Sequence, residues 1–160
     1  MILPAAILIA FYTLSFFFFI EKKLSFLQNS LVLMLISIAA RNYTTILALQ
    51  LKWIHITEDS ILFIVFLIHR EIIGPFLVLM FINIYWKTPS GVKRITVFAI
   101  FLICLLGMDL FSSTSGVITY LNWNLLKAGI GNTAFLIAGL GLSRGIMYLM
   151  QESTNYGKGL

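Results

Sequence analysis

Ile64-Val65-Phe66-Leu67-Ile68-His69-Arg70-Glu71-Ile72-Ile73-Gly74-Pro75-Phe76-Leu77 decides how this chain is read. Three consecutive ionisable residues sit inside an apolar run, and a Gly-Pro pair follows within one helical turn. The run extends from about Ser60 to Trp86. At ~1.5 Å per residue, a helix of that length crosses a hydrocarbon core of ~30 Å. Charges placed there are costly against lipid, so His69, Arg70 and Glu71 should face protein or a wet cavity. Proline lacks its own N–H and clashes with the carbonyl four residues earlier, which here belongs to Glu71. A kink at Gly74-Pro75 is therefore predicted beside the charges.

Composition extends this reading to the whole chain. Of its 160 residues, 60% are hydrophobic and only 11% charged, against roughly a quarter charged in soluble domains. The mean hydropathy is +0.99. So little polar surface could not cover a water-soluble fold of this size. The prediction is an all-α membrane protein, a bundle of five transmembrane helices spanning about 1–20, 27–51, 60–86, 95–120 and 125–150. Together they form a single integral membrane domain over 1–160, with a short polar tail at 151–160. The first span lacks a basic segment before it and a small-residue cleavage site after it, so it reads as a retained helix.

The net charge of +5 follows the positive-inside pattern. The first and third loops and the C-terminal end carry Lys22, Lys23, Lys87, Lys93, Arg94, Arg144 and Lys158, whereas the second and fourth loops carry Lys52 and Lys127. This asymmetry puts the N-terminus outside and the C-terminus in the cytoplasm. No basic stripe with stacking aromatics is present, so nucleic acid is not an expected partner. The richness in Phe, Ile and Lys hints at a bacterial plasma membrane.

Four charges then fall at similar depth on three spans: Arg41, Arg70, Glu71 and Asp109. Their sum is zero, which favours pairing between helices. Adjacent helical residues point ~100° apart, so Arg70 and Glu71 should seek different partners. The predicted pairs are Arg41 with Glu71 or Asp109, and Arg70 with the remaining carboxylate. Ser30, Ser37, Arg41, Thr45 and Lys52 share a polar stripe expected to face protein or water. Ser112, Ser113 and Gly116 accompany Asp109. Arg41, Thr45, His69, Arg70, Glu71, Asp109, Ser112 and Ser113 thus form the candidate polar pocket or pathway.

The fifth span carries Lys127, Gly131, Ala134, Ala138, Gly141 and Gly145 on one face. Small residues let helices approach closely in lipid. Packing within the chain is the simpler expectation for this face. A homo-oligomer or a membrane-protein partner is the alternative. Cys104 reads as a buried small hydrophobe, and Thr57 as the cap of the third span with Glu58 and Asp59 beside it.

Two readings of the charged cluster stay open: an ion-pair network that fixes helix register, or a pocket for permeation or transport of an ion, a proton or a small solute. His69, which titrates near neutrality when free, suits a proton role. An accessory or sensing subunit is the alternative, and a lipid-headgroup enzyme using Arg41, His69, Arg70 and Glu71 is a third reading. No catalytic residue set is assigned. His69 is followed by Arg70, which breaks the H-E-x-x-H pattern, and no phosphate loop or dinucleotide fingerprint is found. The sequence implies no metal and no cofactor, and its expected surroundings are membrane lipid. Five spans do not divide into the equal inverted halves of many transporters.

Overall fold

The computed structural model describes the backbone of residues 1–156 and the side chains of residues 1–151. Lys158 lies outside the described residues. Five helices are long and apolar enough to cross a membrane: Ile2–Phe19, Phe26–Gln50, Ser60–Lys87, Gly91–Thr114 and Leu125–Gln151. The chain is a multi-pass integral membrane protein with an all-α bundle.

Helix α1 covers Ile2–Phe19. Helix α2, Phe26–Thr45, starts with a reciprocal cap. The Gln28 N–H donates to Ser25 Oγ at 3.3 Å, and the Ser25 N–H donates to Gln28 Oε1 at 2.9 Å. This satisfies donors that a helix start leaves open. A π-helical turn, Ile46–Gln50, finishes the second span. The third span comprises α3 (Ser60–Ile68), a second π-turn (His69–Ile73) and α4 (Gly74–Lys87). Its cap is Asp59, not Thr57: the Asp59 carboxylate accepts from the N–H groups of Ile61 and Leu62 at 3.0 and 2.9 Å. Thr57 instead accepts from the Asp59 N–H, a turn that presents the acid to the helix.

Helix α4 sits at the centre of the bundle, against the first, second, fourth and fifth spans. Its six consecutive residues Val78 to Asn83 are all buried, which requires neighbours on every side. Phe17, Val32, Ile36, Phe101 and Leu136 surround it, in one cluster with its own Phe81. A second cluster, including Ala6, Leu47, Val65, Phe66 and Val117, lies towards the opposite end of the third span. Many large apolar residues point outward, Phe11, Met34, Ile103 and Leu149 among them, as expected where lipid is the solvent.

The fourth span departs from its prediction. Helix α5 runs from Gly91 to Thr114, and strand β2 (Ile118–Tyr120) follows. Gly116 adopts φ +73°, a conformation open to glycine that turns the chain out of the helix. β2 pairs antiparallel with β1 (Ile54–Ile56), in register Ile54↔Tyr120, His55↔Thr119 and Ile56↔Ile118. Ile118 and Tyr120 are as apolar as helix residues, so hydropathy extended the span through them. The last helix, α6, runs from Leu125 to Tyr156, past the predicted end at 150.

Two packing expectations also change. Ala134, Ala138, Gly141 and Gly145 are exposed, and α6 turns Ala128, Leu136, Gly139 and Ser143 inward instead. A Cβ at Gly139 would stand 3.1 Å from both Val78 and Ile82. Gly131 alone of the predicted face packs tightly, because a Cβ there would collide with the Tyr43 hydroxyl. Cys104 is exposed. In lipid both sides of a helix are apolar, so composition does not tell inward from outward.

Candidate functional site

The predicted slab of four charges divides into two assemblies. On the flank of the bundle, Glu71 receives both arginines. Arg41 donates from Nε to Oε1 at 3.3 Å and from Nη2 to Oε2 at 3.0 Å. Arg70 donates from Nε to Oε1 at 2.8 Å, with its Nη2 2.7 Å from the same oxygen. Arg70 and Glu71 are therefore partners, against the expectation. An arginine stem is long and flexible enough to fold back over its neighbour despite the ~100° between adjacent helical positions. The Arg41 side chain is 63% exposed. Thr45 lies beside it and donates to the Arg41 carbonyl at 2.8 Å. A hydroxyl satisfied by its own helix needs no neighbour; of the second span's polar stripe, Arg41, Thr45 and Lys52 are exposed and Ser30 and Ser37 half-buried.

The π-turn shifts the backbone register as well. Gly74 donates to the His69 carbonyl, five residues back. Continued one residue in that register, the carbonyl deprived of a donor by Pro75 is that of Arg70, not Glu71.

Inside the bundle, the other polar residues border a cavity of about 130 Å³ between the second, third, fourth and fifth spans. The two strands close one end of it through Ile54, Ile118 and Tyr120. Asp109 Oδ2 accepts from Asn132 Nδ2 at 2.7 Å. The amide must present its NH₂ here, since a carboxylate has no hydrogen to give. Asp109 thus pairs with an amide and not with an arginine, which corrects the second predicted ion pair. His69 Nδ1 and Ser112 Oγ share a hydrogen bond of 3.0 Å. Ser113 does not line the cavity; its carbonyl accepts from the Gly116 N–H in the turn that ends α5.

Aromatic rings form much of the remaining wall. Tyr43 meets Phe135 edge-on at 5.3 Å and Trp123 at 6.4 Å. Trp123 stacks on Trp53 at 5.5 Å, and the Lys127 ammonium lies 5.1 Å from the Trp53 ring. Tyr120, outside the helical spans, has its phenol held above the usual range, chiefly by burial and then by Asp109 and Tyr43.

Of the predicted residues, His69, Arg70 and Asp109 line the cavity, and Ser112 joins them through His69. Arg41, Thr45 and Glu71 belong to the flank. Sequence reasoning missed Tyr43, Tyr120, Trp123 and Asn132. Asn132 carried a usable signal, since an amide within a membrane helix commonly bonds across to another helix. Tyr120 and Trp123 carried none, because strand pairing brings in Tyr120 and stacking on Trp53 holds Trp123.

The bundle defines a multi-pass membrane protein with an internal cavity that Asp109, His69 and Arg70 border. No family model, curated protein or solved structure matches the chain.

Proposed function

We propose that this protein carries out transport or permeation of an ion, a proton or a small solute, using the cavity under the strand pair as its binding site. One observation carries the reading. Asp109 borders the cavity with Asn132 as its hydrogen-bond partner, while Arg70 on the same wall and Arg41 on the flank both serve Glu71. A carboxylate in a membrane interior without a cation partner marks a solute or ion pathway by default.

In this reading the N-terminus is outside and the C-terminus cytoplasmic, so the strand pair faces outward. The tightly packed α4 core blocks the route to the cytoplasm. Passage requires the third span to rearrange, and a kink at Gly74-Pro75 next to the π-turn is where it bends. Irregular helix turns are common at working sites. The composition supports a bacterial plasma membrane.

The test is flux in proteoliposomes. Purified protein should pass protons, alkali cations or a small organic solute, and Asp109→Asn should lose the activity. Wild type indistinguishable from empty vesicles across that panel sinks the reading. Orientation is checked separately in a Cys104→Ser background. An impermeant maleimide added to intact cells should label Thr119→Cys and spare Val92→Cys; the reverse pattern inverts the topology.

A second reading, an accessory or sensing subunit, draws support from the outward stripe Ala134, Ala138, Gly141 and Gly145 and from exposed Arg41. A second copy or another membrane protein would dock there. Copurification of a stoichiometric partner from native membranes would favour it. The headgroup-enzyme reading gains less, because Arg41 and Arg70 direct their donors to Glu71.

A further inference from the structure

We infer that the cavity is a binding site for a small organic ammonium ion, held by the Asp109 carboxylate and by the surrounding aromatic faces. This names the solute class for the transport reading and rests on its choice of the cavity as the binding site.

Charge is the first reason. Asp109 is the acidic residue lining the cavity. Its hydrogen-bond partner, Asn132, is a neutral amide, so the carboxylate has one oxygen committed and its charge unmatched. The other ionisable residues on the wall are otherwise engaged. Arg70 holds Glu71 through two nitrogens, and His69 is bonded to Ser112. A guest bearing a positive charge supplies what Asp109 lacks.

The wall is the second reason. Tyr43, Tyr120, Trp123 and Phe135 line the same space, and aromatic faces attract cations, above all alkylated ammonium groups that shed water readily. Phe66, also on this wall, already serves a cation in this way: the Arg70 guanidinium lies 4.8 Å from its ring. A bare metal cation is a poorer match. Such an ion asks for about six oxygen ligands, and the Asn132 amide turns its nitrogen, not its oxygen, towards Asp109.

Size is the third reason. A cavity of ~150 Å³ holds one benzene molecule. The cavity here, about 130 Å³, suits a guest of about five or six heavy atoms. Tetramethylammonium and short alkylammonium ions are of that size.

The experiment is calorimetric titration of the full-length protein in detergent, with tetramethylammonium chloride as the probe. Neopentanol, trimethylglycine and sodium chloride are the comparisons. Saturable tetramethylammonium binding is expected, about tenfold or more weaker in Asp109→Asn and severalfold weaker in Phe135→Leu. Asp109→Glu, which keeps the charge, should retain binding. If Asp109→Asn does not fold, Phe135→Leu against Asp109→Glu decides alone. Neopentanol binding as tightly overturns the role of charge, and trimethylglycine binding as tightly points to a zwitterion and overturns the class. Sodium displacing the probe stoichiometrically at equal concentration overturns it too, as does no saturable binding of tetramethylammonium. Because binding is read without flux, tetramethylammonium binding in a protein that passes nothing upholds this inference while ending the transport reading.

Discussion

The two halves of the third span treat polar groups in opposite ways. Near the basic loops, α4 is buried on all sides, and its one polar core residue, Asn83, is fully engaged. Asn83 Oδ1 accepts from the N–H groups of Lys23 and Leu24 at 3.0 and 3.1 Å. Its Nδ2 donates to Asn29 Oδ1 at 2.7 Å and to the Leu79 carbonyl at 2.9 Å. Asn29 in turn donates to the Leu24 and Ser25 carbonyls. This knot ties the first loop to the central helix. In the other half, the π-turn aligns His69 and Arg70 with a cavity, and Asp109 across from them bonds a single amide. A polar group with every partner in place holds a fold together. One bordering open space beside irregular backbone has capacity left for a guest.

The comparison is sharpest where a side chain is removed. Asn83→Leu should have the largest effect on stability, about 3 kcal/mol, because several backbone and amide groups lose partners in a dry site. Thermal unfolding in mild detergent measures it, and the fraction that folds should keep its flux. A flux defect without a stability defect would break the distinction between the halves.

Glu71→Gln comes next, at about 2 kcal/mol. That is below the ~3–5 kcal/mol of a fully buried pair, because Glu71 is partly open. It leaves two arginines facing each other, so Arg70→Gln added to it should recover part of the loss. If the single change is silent, the flank assembly is not structural.

Gly131→Ala should cost about 1–2 kcal/mol by forcing the Tyr43 phenol aside. Tyr43→Phe removes the closest atom, the hydroxyl, and leaves Cζ at 3.0 Å, so it should relieve most of the cost. Failure of that rescue would mean that α2 and α6 do not meet across the cavity as described.

Ser112→Ala is expected to be the mildest, about 1 kcal/mol or less, from one hydrogen bond to His69. Flux should change more than stability, since His69 would be free to move in the cavity. Equal changes in both would put His69 with the structural groups.

Much of the outline was legible in the sequence. Five apolar runs separated by basic, Gly, Pro or Trp-containing segments correspond to five helices, with ends displaced by one to a few residues except at Gly116 and after Met150. His69, Arg70 and Asp109 were singled out as charges in costly places, and they do border the cavity. The partners were not legible. Depth along a span predicts which charges are level with each other but not which way they turn. Arg41 and Asp109 are level by prediction, yet one lies on the flank and the other inside. The same limit hid Asn29 and Asn83, whose bond joins residues 54 positions apart.

The sequence by itself determined the solvent, the number of spans and the rows of residues that cannot comfortably face lipid, because these follow from hydropathy and the helical repeat. The tertiary structure decided which face of each helix turned inward. In a bilayer, apolar residues satisfy lipid and protein alike, so packing shape and hydrogen-bond partners settle the choice. That is why α6 buried Gly139 and left Gly141 outside, and why two three-residue strands far apart in sequence came together to close a cavity around Asp109.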